Sequence, residues 1–140
     1  MRDDRPTHAV QPAGWAAPHG YANGVSAPPG RTIHVAGQVG WNPISGEFNS
    51  DDFVAQARQA LANVVAVLRA GGAGPEHLVR LTWYVTSRDE YAAARRALGD
   101  AYRDAVGPYY PAMSLLVVSA LLEPRAKVEI EATAVVPDGA

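Results

Sequence analysis

The chain has 140 residues, enough for one hydrophobic core, and its 48% apolar and 19% charged content is that of a globular domain. A formal net charge of −2, with Lys and Arg scattered along the chain, argues against the concentrated positive surface that tracks a phosphate backbone. Cysteine is absent, which excludes disulfides, thiolate nucleophiles and cysteine-based zinc sites.

The start, Met1-Arg2-Asp3-Asp4-Arg5, is charged and leads into no apolar run of signal-peptide length. No segment approaches the roughly 18 apolar residues of a membrane span, so the expected compartment is the cytoplasm. Residues 1 to about 30 carry Pro6, Pro12, Pro18, Pro28 and Pro29, which predicts turns and short extended pieces rather than a helix. Trp15 and Tyr21 suggest that this stretch packs on the rest of the chain. Thr32 to Ala36 reads as a strand stopped by Gly37, with Gly37-Gln38-Val39-Gly40 as a turn.

A long helix follows, with Ser50 as its cap, Asp51 and Asp52 at the positive end of its dipole, and Gly71-Gly72 as its end. Phe53, Ala57, Leu61, Val64, Val65 and Leu68 form its inward stripe, while Arg58, Gln59, Asn63 and Arg69 lie mostly away from it. Leu78 to Thr86 is β-branched and aromatic, a strand. Ser87-Arg88-Asp89-Glu90 is a capping box opening a second helix to about Val106. Met113 to Leu122 and Lys127 to Val136 read as two further strands. The second alternates, with Val128, Ile130, Ala132 and Ala134 on one face. This order predicts an α+β domain spanning 1–140, a mixed sheet with two helices on one face. The other face then meets water or a second subunit, and the apolar run 113–122 favours the subunit.

Arg95 shares the inward stripe of the second helix with Tyr91, Leu98 and Tyr102, where an arginine needs a carboxylate, a carbonyl cluster or an anionic ligand. Its long stem can alternatively carry the charge out to a surface acid. Glu129 and Glu131 are neighbours on one strand face, either a solvated face or, if covered by another subunit, a general acid or base. His8, His19, His34 and His77 have no metal-ligand spacing, so no metal is expected. Ser26, Ser114 and Ser119 lack a nucleophile-elbow context. Tyr21, Trp41, Tyr109 and Tyr110 fit either packing or a ligand wall.

Taken together these segments resemble the Rid (reactive intermediate deaminase, YjgF-type) family. Tyr21-Ala22-Asn23-Gly24-Val25 is similar to its Y-x-x-G-V signature, and Val35-Ala36-Gly37-Gln38-Val39 to its S-G-Q-x strand end. Gln56 to Val64 resembles its Q-x-x-x-x-L-x-N helix. Val79 to Val85, Tyr110-Pro111-Ala112 and Val128 to Ala132 resemble its central strand and closing signature. The resemblance covers roughly residues 20 to 136, leaving 1–19 as a divergent extended segment.

It implies a chorismate-mutase-like fold, a homotrimer with ligand clefts between subunits, no cofactor, and hydrolysis of enamines or imines. In the deaminases an arginine after the Pro-Ala dipeptide holds the substrate carboxylate. Here that position is Met113, while Ala36 and Leu115 stand where serine and cysteine are frequent. Tyr21, Gly37 and Glu129 match the family pocket, with Glu129 in the catalytic place. Arg95, at a helix position that faces the family cleft, would replace the missing anchor. Trp41, Met113, Ser114 and Leu115 would complete a more apolar, substrate-binding wall. The resulting expectation is an enzyme acting on a pathway-specific enamine or imine. The alternatives are a trimer that binds a metabolite without turnover and, more weakly, an endoribonuclease.

Overall fold

The computed structural model describes residues 6–139, so the charged start at Met1 to Arg5 lies outside the described residues. A small hairpin of β1 (His8–Val10) and β2 (Gly24–Ser26) precedes the main body. There β3 (Gly30–Val39), β4 (Leu78–Val85), β5 (Ala112–Val117) and β6 (Val128–Pro137) form one sheet in the order β3-β6-β4-β5. β6 runs antiparallel to both β3 and β4, and β5 runs parallel to β4 at the edge. The expected mixed α+β sheet is present. Helices α1 (Phe53–Ala70) and α3 (Arg95–Ala105) pack on each other, and their buried side chains join one core with Leu81, Trp83, Val85, Val128 and Ile130. The short α2 (Arg88–Ala93) buries none of its residues. Among the described residues no helix is long and apolar enough to cross a membrane.

The alternation read from Lys127 to Val136 is realised along β6, where Val128, Ile130, Ala132, Ala134 and Val136 are buried and Glu129, Glu131 and Thr133 sit on the other face. The stripe of α1 is buried as expected at Phe53, Ala57, Leu61, Val64 and Leu68, with Val65 half-buried. Two polar residues of that helix are buried with it. Gln56 donates to the carbonyls of Ser50 (3.1 Å) and Arg125 (3.0 Å) and accepts from the Lys127 amide (2.8 Å). Asn63, expected to point away, instead donates to the carbonyls of Val39 (3.2 Å) and Trp41 (3.1 Å) and accepts from Gln59 (2.9 Å). These amides satisfy backbone groups at the end of β3, ahead of α1 and on the approach to β6.

Several boundaries shift for local reasons. Asp52, not Ser50, caps α1: its carboxylate accepts from the Ala55 amide (2.9 Å), and Ser50 holds the cap from outside by accepting from the Asp52 amide (3.0 Å). β3 does not stop at Gly37 but continues to Val39, with a register irregularity between Val35 and Gln38 that absorbs the glycine. Gly40 is not a free turn either. A Cβ there would stand 2.5 Å from the Gln56 Cα, so its bare backbone lets the end of β3 touch α1.

Ser87 caps as expected by accepting from the Glu90 amide (3.1 Å), but the Glu90 carboxylate turns to Lys127 (3.4 Å). The second helix breaks at Ala94, whose amide bonds Tyr91 three residues back, so α2 and α3 are separate segments. The expected strand 113–122 is only β5. The Val118 amide still reaches the Val85 carbonyl (2.9 Å), but β4 ends there because the chain turns to the Ser87 cap, and β5 has nothing further to pair with.

Candidate functional site

A cleft of about 400 Å³ opens where β4, β5 and the helices meet the 19–21 segment. Trp83 of β4 and Met113 and Leu115 of β5 form its floor, and the parallel register sets Trp83 opposite Leu115. Tyr91, Arg95, Leu98 and Tyr102 line it from the helices, and Tyr21 and Tyr110 from the segments that precede β2 and β5. Tyr21 is held in place because the Ala22 amide bonds the Pro111 carbonyl (3.0 Å), which ties the N-terminal segment to the start of β5. The Tyr102 and Tyr110 rings stack with centroids 5.1 Å apart, and the Tyr102 hydroxyl donates to the Tyr109 carbonyl. Burial, and secondarily the neighbouring Tyr110, pushes the Tyr102 phenol well above its usual range, so it serves as a donor and not as a phenolate.

Arg95 is the one permanently charged side chain among the described residues lining this cleft. It is exposed rather than buried as its helical phase suggested, because at this level the stripe of α3 faces the open cleft and not the closed core. No described residue forms an ion pair with it. The indole Nε1 of Trp83 is buried and lacks a hydrogen-bond partner among the described residues. Ser114 borders the cleft, but its hydroxyl accepts from Arg80 (3.2 Å), so it is already engaged.

Of the residues singled out from sequence, Tyr21, Arg95, Met113, Ser114 and Leu115 share this cleft. Gly37, Trp41 and Glu129 do not line it. Gly37 and Glu129 form a second group, across β3 and β6. Trp41 lies beyond β3, its ring packed 6.3 Å from that of Phe48. In that second group Tyr84 donates to Glu131 (2.8 Å), a bond that, with burial and the two carboxylate charges, raises the Tyr84 phenol above its ordinary 10.0. Glu131 is therefore occupied, whereas no described residue hydrogen-bonds the Glu129 carboxylate. A Cβ on Gly37 would stand 2.6 Å from Glu129 Oε1, so the glycine makes room for that carboxylate.

Gly37→Ala is accordingly expected to change stability by about 1 kcal/mol, since the Glu129 side chain from its Cγ outward must swing aside while the backbone stays in place. A crystal structure of the variant should show Glu129 displaced. Tyr91, Leu98 and Tyr102 were legible as an inward stripe, but nothing local in the sequence marked His19, Gly99 or Trp83 as cleft residues.

A family model described as endoribonuclease L-PSP matches residues 12–136. YyfB, of the conserved Rid protein family from Yersinia pestis, superposes with a TM-score of 0.83 at 36% identity, over 94% of this chain and 99% of that one. The chain belongs to the Rid family. A 2-iminobutanoate/2-iminopropanoate deaminase from Capra hircus is 34% identical over 105 residues, 75% of the Rid chain here and 73% of its relative. TdcF of E. coli, solved with bound serine, superposes with a TM-score of 0.67 at 27% identity over 97% of each chain. The Rid fold is thus shared over nearly the whole chain, and deaminases stand among its relatives.

Proposed function

We propose that this Rid-family protein hydrolyses an imine, or the enamine that tautomerises to it, in clefts between the subunits of a homotrimer. One observation carries the reading: an aromatic-walled cleft whose single permanent charge, Arg95, has no described partner to neutralise it. A carboxylate is the matching ligand group, held by charge-assisted hydrogen bonds. The Glu129 carboxylate, also without a described partner, supplies the base, brought to the cleft from a neighbouring subunit. It takes a proton from water as the oxygen attacks the C=N carbon and returns it to nitrogen, giving a carbinolamine. It then carries the hydroxyl proton of that adduct to nitrogen as the C–N bond breaks and the C=O bond forms. The imine and water become a 2-oxo acid and ammonia, with no cofactor. Exposed Leu115, Leu116 and Val117 on the edge strand β5 suit burial against that neighbour.

The test is ammonia release from freshly generated 2-iminopropanoate, 2-iminobutanoate and 2-imino-3-phenylpropanoate, comparing the native protein with Glu129→Ala. Turnover that depends on Glu129 and favours the aryl imine supports the reading. Arg95→Ala is expected to raise KM by about 10- to 100-fold, the worth of a charge-assisted hydrogen bond, with a smaller change in kcat. Assayed at substrate levels far below the raised KM, co-expressed Glu129→Ala and Arg95→Ala chains should show activity above the sum of the two variants alone, in roughly one cleft of four by random assortment around a trimer. No recovery would place both residues in a single-chain site and end the inter-subunit proposal.

The position after Pro111-Ala112 favours a second reading. Met113 cannot hold a carboxylate as the family arginine does, which fits a trimer that binds a metabolite without turning it over. Tight binding of the aryl acid without ammonia release would select it. RNA cleavage, in keeping with the description of the family model, finds little support in a chain of net charge −2. Cleavage that persists through rigorous repurification would revive it.

A further inference from the structure

Tyr21 and Tyr110 wall the cleft on one side, and the same two rings wall a second groove of about 360 Å³ beyond them. That groove is lined by Val10 of β1 and by Trp15, Ala17 and Pro18 of the segment that follows. Tyr21 is 42% and Tyr110 37% exposed, so the rings form a low partition between the two spaces rather than a closed wall. Trp15 and Val10 are 63% and 50% exposed, a large aromatic and an aliphatic side chain left open beside the cleft.

The groove is held in shape. The Gln11 side chain donates to the carbonyls of Trp15 (3.4 Å) and Ala16 (3.1 Å) and accepts from the Asn23 side-chain amide (2.7 Å), stitching the loop to the segment that leads from Tyr21 into β2. A preformed groove spares a ligand the entropy of ordering it. Among the described residues no charged side chain lines it, so it suits an apolar or aryl group.

We infer that cleft and groove form one two-compartment site for an elongated carboxylate. The acid sits at Arg95, and an aryl-terminated tail passes over Tyr21 and Tyr110 onto Trp15. This rests on the reading of the cleft as a ligand site anchored by Arg95. A three- or four-carbon imino acid fills only a fraction of the first compartment and leaves the second unused. The substrate class is therefore an arylalkyl 2-imino or 2-oxo acid.

Calorimetric titration with phenylacetate, 4-phenylbutanoate and 6-phenylhexanoate tests this on the native protein, Trp15→Ala, Val10→Glu and Arg95→Ala. Affinity should rise with tether length in the native protein. Trp15→Ala and Val10→Glu, both at exposed side chains, should weaken 6-phenylhexanoate by about tenfold while leaving phenylacetate within about twofold. Arg95→Ala should weaken all three alike. If phenylacetate binds through Arg95 but neither groove variant affects the long ligand selectively, the second compartment is refuted and the anchor stands. If the groove variants act selectively while Arg95→Ala changes nothing, the groove stands and the anchor is wrong.

Discussion

Gln56→Leu is expected to destabilise the protein by about 3 kcal/mol or more, because it removes three hydrogen bonds at a side chain that is only 1% exposed. The larger part of the loss comes from what is left behind. The Lys127 amide and the carbonyls of Ser50 and Arg125 belong to loops that have no alternative backbone partners at these atoms, and an unsatisfied buried group costs about 1–3 kcal/mol. Leucine keeps the volume of the side chain, so the change reports the hydrogen bonds rather than a cavity. Urea denaturation checks it, with Arg58→Ala as a comparison. That exposed residue pairs with Asp104 at 2.9 Å and is expected to contribute less than about 1 kcal/mol. A loss at Gln56 no greater than at Arg58 would mean that water replaces the amide without penalty.

Glu129→Gln is expected to lower imine turnover by at least about 100-fold, the usual contribution of a positioned general base. The substitution keeps shape and removes only the ability to take a proton. Glu131→Gln should act much less on turnover, since Glu131 already accepts the Tyr84 hydroxyl at 2.8 Å and sits one pleat further along the same face. Steady-state ammonia release separates the two. Equal losses would point to a shared field of two carboxylates instead of a single base. A Glu129→Gln protein as active as the native one would remove Glu129 from the proposed mechanism.

The two residues behind these expectations differ in how far the sequence announces them. Gln56 and Asn63 stand out in the resemblance to the family helix, yet helical phase placed Asn63 on the solvent side. Phase describes a helix against a flat sheet, whereas here the ends of β3 and the approach to β6 wrap over α1 and bury its flank. Glu129 and Glu131 are equivalent by spacing. By register Tyr84 stands opposite Glu129, yet its hydroxyl reaches diagonally to Glu131, so the folded side chain engages one carboxylate and leaves the other open.

By itself the sequence determined what local periodicity and turn chemistry control. It specified a capped helix ending at Gly71, the β-branched strand β4, the alternating strand β6, the α+β order of elements and membership of a recognisable family. These follow from interactions between residues close along the chain. What only the tertiary structure decided involves elements far apart in sequence. The parallel pairing of β5 with β4 sets Trp83 beside Leu115, and the Ala22–Pro111 bond brings Tyr21 to the same cleft. Arg95 lies exposed at that cleft because the break at Ala94 and the packing of α3 on α1 leave this stretch of the stripe uncovered. No spacing rule encodes such a meeting of distant segments; it is decided by which surfaces the closed core leaves open.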